Sequence, residues 1–199
     1  MINRNFICII GGAGHVGAPL GLALSSKGYN VTLIDKNQKN IKKINNGIMP
    51  FVEVGCEKLL KKMIYKKKIF ATNQLDKVKK CKYIIVCIGT PINNRFEPNL
   101  KKFFNFFYSL KKYLSKNHVI IIRSSIYPGV SNKIFNIIKN RCKNLSYCPE
   151  RIAQGKSLLE LPKLSQIISG KNSKARIESG KIFKKVCKKI IYTKIIEAE

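Results

Sequence analysis

The chain of 199 residues, of which 45% are hydrophobic, is long enough to fold as one α/β domain around a good core. No apolar run approaches the roughly 18 residues that a membrane helix needs, and the first apolar stretch runs into glycines rather than a cleavage site. We therefore expect a cytoplasmic protein with no membrane partner.

The charge balance is unusual, with 39 basic and 10 acidic residues and a net charge of +29. Such a charge raises the question of a nucleic-acid partner. The lysines, however, are spread along the whole chain in short clusters, and few aromatic residues alternate with them as stacking platforms would. We interpret the charge as a compositional bias toward lysine and expect no specific nucleic-acid binding.

The cysteines and histidines show no spacing that is typical of a metal site. The seven cysteines include no C-x-x-C pair, and the two histidines have no partner pattern. Without a secretory signal, a disulfide framework is not expected either. We predict no metal site and read the cysteines in strand-like runs as small buried hydrophobic residues.

Apolar runs and helical patterns alternate along the chain, as is typical of a parallel α/β sheet. Predicted strands lie near residues 5–10, 30–35, 68–72, 82–88, 118–123 and 144–148, with a further pair near 165–169 and 190–193. Predicted helices lie at residues 15–27, 37–46, 56–67, 74–80, 99–114, 130–140 and 172–187. Two units of three strands predict a doubly wound, Rossmann-type sheet with a ligand crevice at the strand carboxyl ends.

The first predicted strand stops abruptly at glycines. Gly12, Gly14 and Gly17 fit the pattern G-x-G-x-x-G, which allows a tight turn and a close approach of the backbone to a pyrophosphate. The pyrophosphate would lie at the N-terminus of the following helix. Asp35 ends the second strand, where an acid accepts hydrogen bonds from ribose hydroxyls. Together these features predict a dinucleotide site.

Turn-forming and polar residues follow three further strands. They are Gly89-Thr90-Pro91 after the fourth strand, residues 123–129 after the fifth, and residues 148–151 after the sixth. Taken singly, Thr90-Pro91 or Pro128-Gly129 is what an ordinary turn contains. Because the carboxyl ends of parallel strands share one edge, three such loops together favour a site where cofactor and substrate meet.

These motifs resemble the N-terminal domain of the UDP-glucose/GDP-mannose dehydrogenase family. The resemblance covers essentially the whole chain in order, through residues 12–17, Asp35, residues 44–55, residues 86–91, RSSIYPG at 123–129 and PERIAQG at 149–155. The last two motifs are the specific ones, and the second is most similar to the branch that acts on UDP-N-acetylhexosamines. The resemblance implies NAD as cofactor, a nucleotide-sugar substrate, and oxidation of its C6 alcohol to a carboxylate in polysaccharide precursor synthesis.

The resemblance also implies roles for individual residues. The amides of His15 and Val16 would meet the pyrophosphate, and Ser125, where the family usually has threonine, would lie beside the nicotinamide and the reacting carbon. Glu150 matches a glutamate that assists acid–base chemistry, and Arg151 and Ile152 would face the substrate. The implied cofactor-binding set is Gly12, Gly14, His15, Val16, Gly17, Asp35, Asn40, Thr90 and Ser125. The implied catalytic residues are Ser125 and Glu150.

Three departures from the family pattern stand out. Asn40 stands where the family often has arginine or lysine, and Gln154 stands where a further acid is often found. The third concerns the nucleophile, which in the family is a cysteine in a glycine-rich segment of a later domain. None of the seven cysteines here lies in a comparable segment, so none is given that role.

Residues 195–199 are similar to the opening of the family's linking helix. We therefore expect residues 1–194 to form the NAD-binding domain, the chain alone to show little turnover, and a homodimer to form only where that helix is present. The alternatives are a stand-alone NAD-binding or regulatory module, half of a split enzyme, or a different NAD-linked dehydrogenase such as a hydroxyacid enzyme.

Overall fold

The protein, seen here as a computed structural model, is described for residues 2–90 and 100–199. Within these residues, eight strands form one sheet in the order β3-β2-β1-β4-β5-β6-β7-β8. The strands are β1 Asn3–Ile10, β2 Asn30–Ile34, β3 Ile69–Thr72, β4 Cys81–Val86, β5 Val119–Ile122, β6 Leu145–Tyr147, β7 Gln166–Gly170 and β8 Ile190–Tyr192. The first six pair in parallel with their neighbours, which is the doubly wound order, and the predicted fold class is confirmed.

Helices cover both faces of this sheet. They are α1 Gly17–Ser26, α2 Gln38–Asn45, α3 Cys56–Tyr65, α4 Lys101–Lys111, α5 Val130–Ile138, α6 Ser157–Glu160, α7 Ser173–Phe183 and α8 Ile195–Ala198. The helix predicted at 74–80 is a 3-10 helix, Leu75–Lys80, and residue 99 of the helix predicted at 99–114 lies outside the described residues. None of the described helices is long and apolar enough to cross a membrane.

The unbroken apolar strands arise because each strand faces two core layers. In β1, Ile7 and Ile9 lie in the layer under α1, α3 and α7, whereas Cys8 and Ile10 lie in the layer under α4 and α5. In β5 the same alternation places Ile121 in the first layer and Ile120 and Ile122 in the second. Covering both faces removes the need for polar alternation.

The exception to the predicted parallel sheet is β7, which runs antiparallel to β6. The connection between them carries only the four-residue helix α6, which contacts α1, and it provides no return crossing of the sheet. A parallel neighbour requires such a crossing, so β7 starts at the edge where β6 ends. As a result Gln166, the first residue of β7, lies beside the loop that follows β6.

Candidate cofactor and substrate site

The glycine-rich loop after β1 is shaped by close backbone contacts. The amides of Gly11 and Gly12 both donate to the carbonyl of Ile34 at the end of β2, at 2.9 and 3.0 Å. A Cβ on Gly12 would lie 2.7 Å from the carbonyl oxygen of Ile9, and one on Gly17 would lie 2.4 Å from that of Gly11. Both positions therefore exclude any side chain, as the predicted motif requires.

The N-terminus of α1 is open to an anion. The helix begins at Gly17 after Val16, no side chain in the described part of the chain caps it, and its first turn contains no acidic residue. His15 is exposed at the same place. Uncapped backbone amides and the positive end of the helix dipole fit a phosphate group. This geometry fits the pyrophosphate of a dinucleotide at His15 and Val16.

Asp35 and Asn40 both hydrogen-bond the backbone of Ala13 in the glycine-rich loop, Asp35 at its amide and Asn40 at its carbonyl. The Oδ2 atom of Asp35 accepts a hydrogen bond from the amide of Ala13 at 3.0 Å, and its Oδ1 atom accepts one from the amide of Asn37 at 3.0 Å. The Nδ2 atom of Asn40 donates to the carbonyl of Ala13 at 3.2 Å. The structure thus brings both predicted residues to the loop, with the carboxylate fixed at the end of β2.

A contact that the sequence did not suggest joins this loop to the segment between α2 and α3. The rings of His15 and Phe51 stack with their centroids 4.0 Å apart and their planes 31° from parallel. Phe51 lies within residues 44–55, one of the stretches that carry the family resemblance, but nothing in its spacing marks it as a partner of His15. The stack links the glycine-rich loop to the segment between α2 and α3.

Elsewhere at the carboxyl edge of the sheet, a hydrogen bond joins Thr90 to Ser125. The Oγ1 atom of Thr90 donates to the carbonyl of Ser125 at 2.7 Å, so the loops after β4 and β5 are held together. Ser125 is exposed and Thr90 is half-buried. Pro91, which belongs to the same predicted motif, lies outside the described residues.

Glu150, after β6, is surrounded by donors from this chain. Its Oε2 atom accepts from Nε and Nη2 of Arg123 at 2.7 and 2.6 Å, and its Oε1 atom accepts from the amides of Arg151 and Ile152 at 2.8 and 3.0 Å. Arg123 is 1% exposed. Sequence reasoning gave Arg123 no role, although an arginine directly after a wholly apolar strand signals a buried partner of opposite charge.

The two predicted substrate residues lie beside Glu150. Arg151 is exposed and its guanidinium donates to the carbonyl of Ser165, whereas Ile152 is half-buried against the core. Their loop is also held by Glu53, which is 6% exposed and whose carboxylate accepts hydrogen bonds from the amides of Gly155 and Ser157. Glu53 is a second residue that the sequence did not single out.

Among the described residues, no three His, Cys, Asp or Glu side chains are grouped to hold a metal ion. All seven cysteines are free, and all but the half-buried Cys87 are buried. Burial raises the pKa of Cys87 and Cys148 to about 12, although the charge of Arg123 opposes the rise. These thiols are not poised to act as thiolate nucleophiles.

Comparison with known proteins identifies this arrangement. Residues 5–191 match the sequence model of the UDP-glucose/GDP-mannose dehydrogenase family, NAD binding domain. The chain belongs to this family. The family prediction and NAD as the cofactor are thereby confirmed.

Individual relatives agree with the family match. The UDP-N-acetyl-D-mannosamine dehydrogenase of Methanococcus vannielii is 32% identical over 190 residues, which cover 94% of this chain and 43% of the relative. The UDP-glucose 6-dehydrogenase of Rickettsia conorii is 27% identical over 178 residues, covering 88% of this chain and 40% of the relative. The structure of UDP-D-ManNAc dehydrogenase from Pyrococcus horikoshii superposes with a TM-score of 0.91 at 27% identity, covering 98% of this chain and 48% of that one. This chain thus spans less than half the length of these relatives.

Proposed function

We propose that this chain is the NAD-binding portion of a cytoplasmic dehydrogenase that oxidises the C6 alcohol of a UDP-sugar to a carboxylate for polysaccharide precursor synthesis. The observation that carries the proposal is the meeting of two elements at one edge of the sheet. One is the glycine-rich loop held by Asp35, and the other is the Glu150 loop held by Arg123. The first suits a dinucleotide and the second suits the polar reacting end of a substrate.

On the cofactor side, Gly12, Gly14 and Gly17 shape the loop, the amides of His15 and Val16 meet the pyrophosphate, and Asp35 accepts the adenosine ribose hydroxyls. Asn40 orients Ala13, and Thr90 and Ser125 lie further along the cofactor. When bound, NAD supplies the hydride acceptor. A carboxylate at Asp35 also repels a 2′-phosphate, which favours NAD over NADP.

On the substrate side, Ser125 and Glu150 stand at the ends of β5 and β6, where the reacting carbon would lie. The exposed hydroxyl of Ser125 is available to hydrogen-bond a water or an oxyanion. The fixed carboxylate of Glu150 assists proton transfer. Arg151 offers a planar fork for sugar or phosphate oxygens, and Ile152 offers an apolar wall. The names of the relatives favour a UDP-N-acetylhexosamine or UDP-glucose as the sugar nucleotide.

We further propose that residues 1–194 form the cofactor domain, that residues 195–199 open a linking helix, and that homodimers require the rest of that helix. None of the seven cysteines lies in a glycine-rich segment like that of the family's nucleophile, and burial raises the pKa of Cys87 and Cys148 to about 12. The 199-residue protein is accordingly expected to bind NAD and to turn over no UDP-sugar.

The test is a fluorescence titration of the purified 199-residue protein with NADH and NADPH. We expect NADH to bind at least about tenfold more tightly than NADPH, a difference of about 1.4 kcal/mol. Asp35→Ala abolishes NADH binding, whereas Asp76→Ala, an exposed acid on the 3-10 helix, leaves it unchanged. Absence of NADH binding by the wild type overturns the proposal.

A second assay follows NADH absorbance after NAD and a UDP-sugar are added, with UDP-N-acetylmannosamine and UDP-glucose tested separately. No NADH is expected from either sugar. Enzyme-like rates from this chain alone would overturn the proposed dependence on an additional cysteine.

A further inference from the structure

All three guanidinium nitrogens of the buried Arg123 contact acceptor oxygens. Two of its nitrogens contact one oxygen of Glu150, and Nη1 donates to the Oε1 atom of Gln166 at 2.8 Å and to the carbonyl of Cys148 at 3.4 Å. The guanidinium carbon lies 5.1 Å from the centre of the Phe183 ring. Contacts from the loop after β6, from β7 and from α7 therefore hold the guanidinium group in place.

Gln166 is itself held in one orientation. Its Nε2 atom donates to the carbonyls of Pro149 and Ile167 at 3.3 and 2.9 Å, so its Oε1 atom faces Arg123. Gln166 is 5% exposed and opens β7, the strand that departs from the parallel sheet. The antiparallel start of β7 at the carboxyl edge is what brings this amide to the site.

The consequence for Glu150 is a carboxylate with little freedom. Arg123 holds Oε2, and the amides of Arg151 and Ile152 hold Oε1, so rotation of the carboxylate breaks hydrogen bonds on both sides. A buried ion pair is weak evidence for stability, because desolvation offsets much of its attraction. Orientation of a functional group is a better reason for placing a charged pair here.

We propose that Arg123, braced by Gln166 and Phe183, is the positioning residue that sets the orientation of Glu150 and, through it, of the loop carrying Arg151 and Ile152. This inference rests on the proposed function for its catalytic meaning. Arg123 itself touches neither the cofactor nor the substrate surface, since it is 1% exposed. The planar fork matters here, because Nε and Nη2 both contact Glu150 while Nη1 reaches Gln166, whereas a lysine ammonium offers all its donors from one nitrogen.

The test uses hydrogen exchange of backbone amides in the 199-residue protein, followed by NMR. In Arg123→Lys and Arg123→Ala, the amides of Arg151 and Ile152 are expected to exchange at least about tenfold faster, since they lose a fixed acceptor. The amides of Ile121 and Ile122 in β5 keep their wild-type rates. Guanidinium ions at concentrations far below denaturing levels restore protection in Arg123→Ala, whereas sodium chloride at equal concentration does not.

The matched control is Lys82→Met, which breaks another partly buried ion pair, with Glu178, on a different part of the sheet. It leaves the two loop amides unchanged. The proposal is overturned if these amides keep wild-type exchange in both Arg123 variants, or if the β5 amides accelerate equally, since that reports general unfolding.

Arg123→Lys is expected to retain NADH affinity within about twofold. Absence of NADH binding by the wild type would instead contradict the proposed function. The positioning role of Arg123 is decided separately, by the hydrogen-exchange rates of the Arg151 and Ile152 amides.

Discussion

The carboxylate of Glu53 joins two loops that lie 104 positions apart: its Oε1 atom accepts a hydrogen bond from the amide of Ser157 at 2.6 Å. Its Oε2 atom accepts one from Gly155 at 2.9 Å, and the amide of Val54 donates back to the carbonyl of Gly155 at 3.1 Å. Phe51, in the same segment as Glu53, stacks on His15. The segment between α2 and α3 thus links the cofactor side of the site to the loop that follows Glu150.

Replacement of Glu53 tests this link. Glu53→Gln keeps one acceptor oxygen but turns an amide NH2 group toward a backbone N–H, leaving a buried donor unsatisfied. Because hydrogen bonds to a charged acceptor are strong, we expect the free energy of unfolding to fall by about 1–3 kcal/mol. Urea denaturation measures the change. Glu57→Gln is the matched control, since Glu57 makes an exposed ion pair with Lys61 and its loss is expected to have no measurable effect. Equal stability of the two variants would contradict the role given to Glu53.

The glycine-rich loop provides a second prediction. Gly17→Ala places a Cβ 2.4 Å from the carbonyl oxygen of Gly11 and 2.7 Å from the Cα atom of Gly12, both of them backbone atoms that cannot move aside. Overpacking of this kind costs about 1–3 kcal/mol, and the displaced loop no longer presents its amides to a pyrophosphate. We expect a lower Tm by calorimetry together with loss of NADH binding.

Gly89→Ala is the control for stability in that experiment. Among the residues that the structure describes, none lies within 4 Å of a Cβ on Gly89, so this variant is expected to unfold at the wild-type temperature. A Gly17→Ala protein as stable as Gly89→Ala would show that the loop tolerates the methyl group, and the packing explanation would be wrong.

The fold could be predicted from the sequence to a large extent because its signals are local. Strands buried on both faces form short apolar runs. Asp35 directly follows the run that forms β2, and Glu150 stands three residues after the end of β6. Since the ends of parallel strands meet at one edge, this placement was enough to bring both acids to the site. The direction of β7 was not accessible in the same way, because an apolar run gives no information on strand polarity.

The parts that escaped prediction depend on contacts between distant segments. Arg123 stands inside a recognised motif, yet its partners Glu150 and Gln166 come from two other strand ends, one of them antiparallel. Glu53 accepts a hydrogen bond from Ser157, the first residue of α6, and that helix has four residues, too few for a periodic pattern. Side-chain direction and loop docking, rather than secondary structure, limited what the sequence could show.

The buried thiols lead to a third prediction. Burial raises the pKa of Cys56, Cys87 and Cys148 to about 12, with the nearby charge of Glu53 adding to the effect at Cys56. Alkylation requires the thiolate, so the native protein is expected to react with iodoacetamide near neutral pH far more slowly than the urea-unfolded protein, in which all seven cysteines are accessible. Peptide mass spectrometry identifies the labelled sites. Rapid selective labelling of any of these three cysteines in the folded protein would contradict the prediction.

The last prediction concerns acid stability and the cluster around Glu178 on α7. Burial alone raises the pKa of Glu178, but hydrogen bonds from Lys181, Lys82 and Tyr83 outweigh it and bring the pKa down to about 2 from an ordinary value of 4.5. A carboxyl group with a lowered pKa in the folded state stabilises the protein fully above its unfolded pKa, and the contribution disappears as the pH falls through its folded pKa. The wild type is therefore expected to exceed Glu178→Gln in stability at neutral pH, with the difference closing between about pH 4.5 and pH 2.

Urea unfolding of both proteins across this pH range measures the difference directly. Asp76→Asn, which removes an exposed acid from the 3-10 helix, controls for the change in net charge and is expected to alter stability little at any pH. Lys82→Met is expected to lower stability at neutral pH in the same direction as Glu178→Gln, since it removes one of the donors to the carboxylate. A difference between wild type and Glu178→Gln that stays constant from neutral pH down to pH 2 would show that the lysines do not stabilise the ionised carboxylate, and the ion-pair account of this cluster would have to be abandoned.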